Sequence, residues 1–99
     1  MRTIRKTEEE RRVLDYLRSR DDWAVEPAEW DVAIDVDYSD ELAALVTLYY
    51  DGEFPDAASD FALRRQLLER VPTVMNTPPS FVYTRVVSHR EALERELPR

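Results

Sequence analysis

From Asp31 to Tyr38 apolar and polar positions alternate without a break. Val32, Ile34, Val36 and Tyr38 fall on one side, and Asp31, Ala33, Asp35 and Asp37 on the other. A period of two is the pattern of a half-buried strand, here with an acidic outer face. Leu42 to Tyr50 is apolar on both faces apart from Thr47, which predicts a second strand that is central or covered on both sides. Ser39-Asp40 between them supplies turn chemistry, so the two strands should form a hairpin. Asp51-Gly52 and Pro55 end it, although Asp51-Gly52 could also turn the chain into a very short further strand.

Helical patterns flank this hairpin. Thr7 followed by Glu10 has the spacing of a capping box and predicts a helix over about 8–19, with Val13, Leu14 and Leu17 as its apolar stripe. Ser59 reads as the cap of a second helix over about 60–70. Its inner stripe is Leu63, Leu67, Leu68 and Val71, and Pro72 stops it. Phe81 to Val87, rich in aromatic and β-branched residues, predicts another strand. Ser88 and Glu91 then launch a short last helix. The segment 22–30 reads as loop or as a short edge strand around Trp23.

The order is α-β-β-α-β-α. It predicts an α+β fold in which a three- or four-stranded, mainly antiparallel sheet carries helices packed on one face. Val32, Ile34, Val36, Leu67 and Leu68 should be buried together. At 99 residues and 11.7 kDa the chain fits one domain spanning 1–99. No apolar run approaches the roughly 18 residues needed to span a bilayer, and the opening residues are charged rather than greasy, so a soluble cytoplasmic protein is expected.

Composition removes several chemistries. With no cysteine there is no disulfide framework and no thiolate site, and a single histidine, His89, rules out a multi-histidine zinc centre. One glycine, Gly52, cannot build a phosphate-cradling loop. His89 follows a helix cap and precedes Arg90, which reads as a solvated first-turn residue rather than a general base. Asp35, Asp37 and Ser39 match the first, third and fifth positions of a calcium loop. The sixth position is Asp40 instead of glycine and the twelfth is Val46 instead of glutamate, so the match fails. No catalytic residue, metal ligand or cofactor is expected, and the protein is read as not an enzyme.

Charge changes the picture most. The net charge of -7 is segregated along the chain. Residues 1–20 hold seven basic and four acidic side chains, residues 61–99 again seven and four, and residues 21–60 hold thirteen acids without a lysine or arginine. Self-neutralisation by the flanks is the plain explanation. The alternative is that the basic flanks gather away from the hairpin and leave it acidic. Aromatic residues interleave with the acids, and tyrosine and tryptophan are frequent interface anchors. Asp31, Asp35, Asp37, Asp40, Glu41, Asp51 and Glu53, with Trp30, Tyr38 and Tyr49, are therefore the expected partner-binding residues. The expected partner is a basic protein, such as a nucleic-acid-binding enzyme or complex. The basic N-terminal residues are interleaved with Glu8, Glu9 and Glu10, which speaks against direct nucleic-acid binding, and nothing points to a membrane. The expected function is that of a non-enzymatic inhibitor, immunity or anti-defence type protein that mimics a polyanion. The alternative is a homodimeric interaction or chaperone-like domain, joined through the second strand or a helix, whose acidic surface serves solubility.

Overall fold

A computed structural model describes residues 6–37 and 39–96. The elements are α1 (Glu8–Ser19), β1 (Glu29–Val36), β2 (Leu42–Tyr50), α2 (Ala57–Val74), β3 (Phe81–Ser88) and α3 (His89–Glu96). The class is α+β, in the order the sequence predicts. The three strands form one sheet ordered β1-β2-β3, with β1 antiparallel and β3 parallel to β2. The expected mainly antiparallel sheet is therefore corrected to a mixed one. The cause is α2, which carries the chain back along the sheet so that β3 starts where β2 starts; a helical crossover joins parallel strands, whereas a tight turn joins antiparallel ones.

Alternation sorts the sheet into two faces. Trp30, Val32 and Ile34 of β1, Ala44, Val46 and Leu48 of β2, and Val82 and Val86 of β3 meet Val13, Leu14 and Leu17 of α1 and Leu63, Leu67 and Val71 of α2 in one core. The capping box forms as its spacing predicts: the Glu10 amide donates to Thr7 Oγ1 (3.1 Å) and the Thr7 amide to Glu10 Oε1 (2.9 Å). Trp23 closes the core from the loop after α1, its indole donating to the Leu17 carbonyl (3.1 Å) and its ring edge-on to Trp30.

Four expectations about the helices and the core are corrected. The cap of α2 is Asp56, whose carboxylate accepts the Ser59 amide (2.7 Å), so the helix begins earlier than expected and includes Pro72 instead of stopping at it. Its buried positions, Leu63, Leu67 and Val71, recur every four residues, and Leu68, one step of about 100° around the helix, is 58% exposed. Val36 is 51% exposed because the first turn of α1 lies beside Ile34, leaving the end of β1 uncovered. Finally, α3 lies over the face opposite α1 and α2: His89 stands beside Tyr49 (ring centroids 6.0 Å apart), and Leu93 shares a recess with Asp31 and Tyr49. The helices do not all pack on one face. Among the described residues no helix is long and apolar enough to cross a membrane.

The burial contrast along α2 yields a direct test. Leu67→Ala opens a cavity in the core and should cost about 2–5 kcal/mol. Leu68→Ala removes an exposed side chain and should stay within about 0.5 kcal/mol of wild type. Urea denaturation of the two variants checks this.

Candidate functional site

The turn between β1 and β2 is built by one carboxylate. Asp37 Oδ1 accepts the Ser39 amide (2.9 Å), the Ser39 hydroxyl (2.6 Å) and the Glu41 amide (3.3 Å), while its Oδ2 accepts the Tyr83 hydroxyl (3.3 Å) from β3. Backbone bonds from Asp37 N to Glu41 O (2.8 Å) and from Asp40 N to Asp37 O (2.9 Å) complete it. Asp40 takes the left-handed conformation the turn requires, at φ 65°, which aspartate tolerates better than most residues. The Ser39 hydroxyl bond, with support from the Glu41 and Ser39 amides and Tyr83, lowers the Asp37 pKa below its ordinary value. Asp37 is thus a structural acid, with one oxygen engaged by its own turn and the other by Tyr83 of β3.

Around this turn the sheet face not covered by α1 and α2 carries the remaining pieces. Asp35 lies opposite Ala43, which lies opposite Phe81; one step along, Ala33, Leu45 and Tyr83 form the next row. Phe81 and Tyr83 stack with centroids 5.9 Å apart and are 46% and 41% exposed. Asp35, Asp40 and Glu41 are exposed beside them, and none of the three forms an ion pair among the described residues. The result is a small aromatic surface rimmed by carboxylates at one end of the sheet.

The other expected site residues are placed differently. Asp31 shares a face with Asp35 but pairs with Lys6 Nζ at 2.7 Å. Tyr49, Asp51 and Glu53 lie at the opposite end of the hairpin, about 20 Å from Asp35 along six residues of strand. There His89 Nδ1 stands 3.6 Å from Asp51 Oδ1. Trp30 is corrected from partner contact to core: it is 3% exposed, because its side of β1 faces the helices. Tyr38 lies outside the described residues. The acidic window is therefore divided between two ends of the sheet, and only Asp35, Asp37, Asp40 and Glu41 of the expected residues come together.

Self-neutralisation holds for part of the window. Arg18 donates to Glu29 from Nε (3.2 Å) and Nη2 (3.1 Å), and Asp22 takes Arg70 (3.0 Å) and Arg20 (3.6 Å). Arg12, Arg64 and Arg65 pair with Glu9, Asp60 and Glu69, not with the hairpin acids. Phe81 and Tyr83 had no signal as site residues, since their pairing beside Asp35 and Asp37 depends on the parallel register of β3.

Among the described residues no three His, Asp or Glu side chains are grouped so as to hold a metal ion. No protein-family model matches the chain, and no curated protein or solved structure matches it.

The bonds to Asp37 set a sign for acid stability. Its folded pKa is depressed, so its stabilising contribution is complete above the ordinary carboxylate value and is lost as pH falls through the lower folded value. Wild type should lose stability as the pH falls below the ordinary carboxylate value of about 4. Asp37→Asn should begin less stable at pH 7 and fall less as the pH drops, as measured by urea midpoints at each pH.

Proposed function

We propose that this protein is a non-enzymatic acidic binding protein, of inhibitor or immunity type, whose hairpin tip occupies a basic, nucleic-acid-binding-type site on a partner protein. The observation that carries this reading is the uneven neutralisation of the acidic window. Cations cover Asp22, Glu29, Asp31 and Asp60, whereas Asp35, Asp40 and Glu41 at the tip, like Asp21, Glu26, Glu53 and Asp56 elsewhere in the window, have no ion pair among the described residues. Phe81 and Tyr83 beside them supply the apolar area that charge alone lacks. Aromatic anchors inside a charged rim are the usual anatomy of a docking surface.

The mechanism is electrostatic steering followed by docking. The field of a -7 molecule with an uncovered acidic end draws a basic surface toward that end. Lysine and arginine side chains of the partner then meet the tip carboxylates, and the site they would offer to a polyanion is filled. Most of the gain is in association rate, because exposed ion pairs contribute little each. The competing view, that the acids serve only solubility, draws on the ion pairs at Glu29, Asp31 and Asp22.

An arginine-rich peptide titrated into labelled protein and followed by nuclear magnetic resonance separates the two. Shifts should concentrate at Asp35, Asp40, Glu41, Phe81 and Tyr83. They should fade as salt shortens the screening length from about 10 Å at 0.1 M to about 3 Å at 1 M. The triple variant Asp35→Asn, Asp40→Asn, Glu41→Gln spares Asp37 and should keep the fold while weakening the interaction several-fold. Shifts spread evenly over Asp21, Glu26 and Glu53, or unchanged binding by the triple variant, would overturn the proposal.

A further inference from the structure

We propose that two copies of this chain pair through the outer edge of β3, antiparallel, about a two-fold axis at Thr84. The edges of the sheet are unequal. β2 lies between two strands and has no edge to offer. The outer edge of β1 is occupied by the chain itself, since Lys6 Nζ donates to the Val32 carbonyl (2.6 Å) and Glu10 Oε2 accepts the Ile34 amide (2.7 Å). β3 ends the sheet on the other side, with exposed apolar side chains along it on both faces: Phe81 and Tyr83 on the open face, Phe61 and Leu68 of α2 on the helix face. A strand edge bordered by apolar groups in both layers is a template for another strand, and here one side-chain contact, Arg64 on the Thr84 carbonyl, touches it, against an amide and a carbonyl both taken on the β1 edge.

The occupant is a second copy because β3 is complementary to itself. In an antiparallel pair about a two-fold axis normal to the sheet, facing residues must point to the same side, so the axis passes through a residue and not between two. With the axis at Thr84, Thr84 faces its own copy, Val82 faces Val86, Tyr83 faces Arg85 and Phe81 faces Val87. Each is an apolar, hydroxyl or cation-on-aromatic pair. With the axis at Arg85 the two guanidinium groups would oppose one another, and at Tyr83 each Val82 would meet a threonine.

The helix layer selects the same axis. Phe61 and Leu68 lie symmetrically about Arg64 and Arg65, so across an antiparallel α2 pair Phe61 of one copy meets Leu68 of the other. Arg64 Nη1 donates to the Thr84 carbonyl at 2.8 Å, which fixes the middle of that helix pattern over the middle of the strand pattern. The carbonyl keeps a second lone pair for a partner amide. The arginines near the axis are paired within their own chain, Arg64 with Asp60 (3.0 Å) and Arg65 with Glu69 (3.5 Å). The product is a six-stranded sheet with the two acidic tips at opposite ends.

Sedimentation equilibrium over a range of concentrations tests the pairing. Wild type should reach twice the 11.7 kDa chain mass. Added salt should strengthen the dimer, since it screens repulsion between two chains of charge -7. That is opposite to its effect on a basic partner, so this proposal and the functional one fail separately. Phe61→Glu with Leu68→Glu alters two exposed positions and should abolish the dimer while far-ultraviolet circular dichroism is unchanged. The chain has no cysteine of its own, so Thr84→Cys should form a disulfide-linked dimer on mild oxidation, faster than Arg85→Cys, whose copies are offset along the strands. Wild type at single-chain mass at every concentration overturns the proposal, as does a dimer that survives the double variant while Thr84→Cys fails to cross-link.

Discussion

One carboxylate ties the first helix to the first strand. Glu10 lies in line with the buried stripe Val13, Leu14 and Leu17, so it reaches the sheet where that stripe ends. One of its oxygens accepts the Thr7 amide and closes α1; the other accepts the Ile34 amide and closes the edge of β1. Two backbone donors that would otherwise need water are satisfied by a single side chain. Lys6 adds the Val32 carbonyl on the same edge and the Asp31 carboxylate beside it. The helix is thereby held along β1, and its apolar stripe comes down on Trp30, Val32 and Ile34.

The remaining asymmetries follow from that contact. Because Lys6 is spent on Asp31 and Arg18 on Glu29, the acids along β1 are neutralised from the strand's start up to Asp31 and not beyond. The first turn of α1 stops beside Ile34, so Val36 and the turn project past the helix, with Asp35, Asp40 and Glu41 uncovered. On the same face, at the other edge of the sheet, α2 stands over β3 with Leu63, Leu67 and Val71 inward, which leaves Phe61 and Leu68 outward along that strand. A closed edge at β1 and an apolar edge at β3 are two consequences of where the two helices sit.

Local physics made much of this legible in the sequence. Thr7 and Glu10 mark the start of α1 because a capping box is satisfied within four residues, and β2 and the hairpin are legible because alternation and turn chemistry are equally local. What escaped depends on long-range placement. The direction of β3 is set by where α2 returns the chain, and no residue of Phe81 to Ser88 encodes it. Asp56 and Ser59 are both good caps, and the structure uses Asp56, whose carboxylate accepts the Ser59 amide and adds a first turn ahead of the apolar stripe. The candidate site was legible only at Asp35, Asp37, Asp40 and Glu41, which are near one another in the chain. Trp30 lies among the acids in the chain but on the side of β1 that Trp23 and the helix stripe enclose, and Asp51 and Glu53 belong to the same charge window but to the other end of the sheet.

The central claim is that Glu10 closes the β1 edge and so fixes which parts of the sheet stay open. Amide hydrogen exchange at Ile34 reads this bond directly. In wild type the Ile34 amide should exchange slowly, although it points away from β2. Glu10→Ala should accelerate it while Val46 in the central strand stays protected, and Thr7→Ala, which removes the helix cap but keeps the bond to Ile34, should leave it slow. An Ile34 amide that exchanges at the rate of unstructured chain in wild type, or one that Glu10→Ala leaves unchanged, would contradict the account.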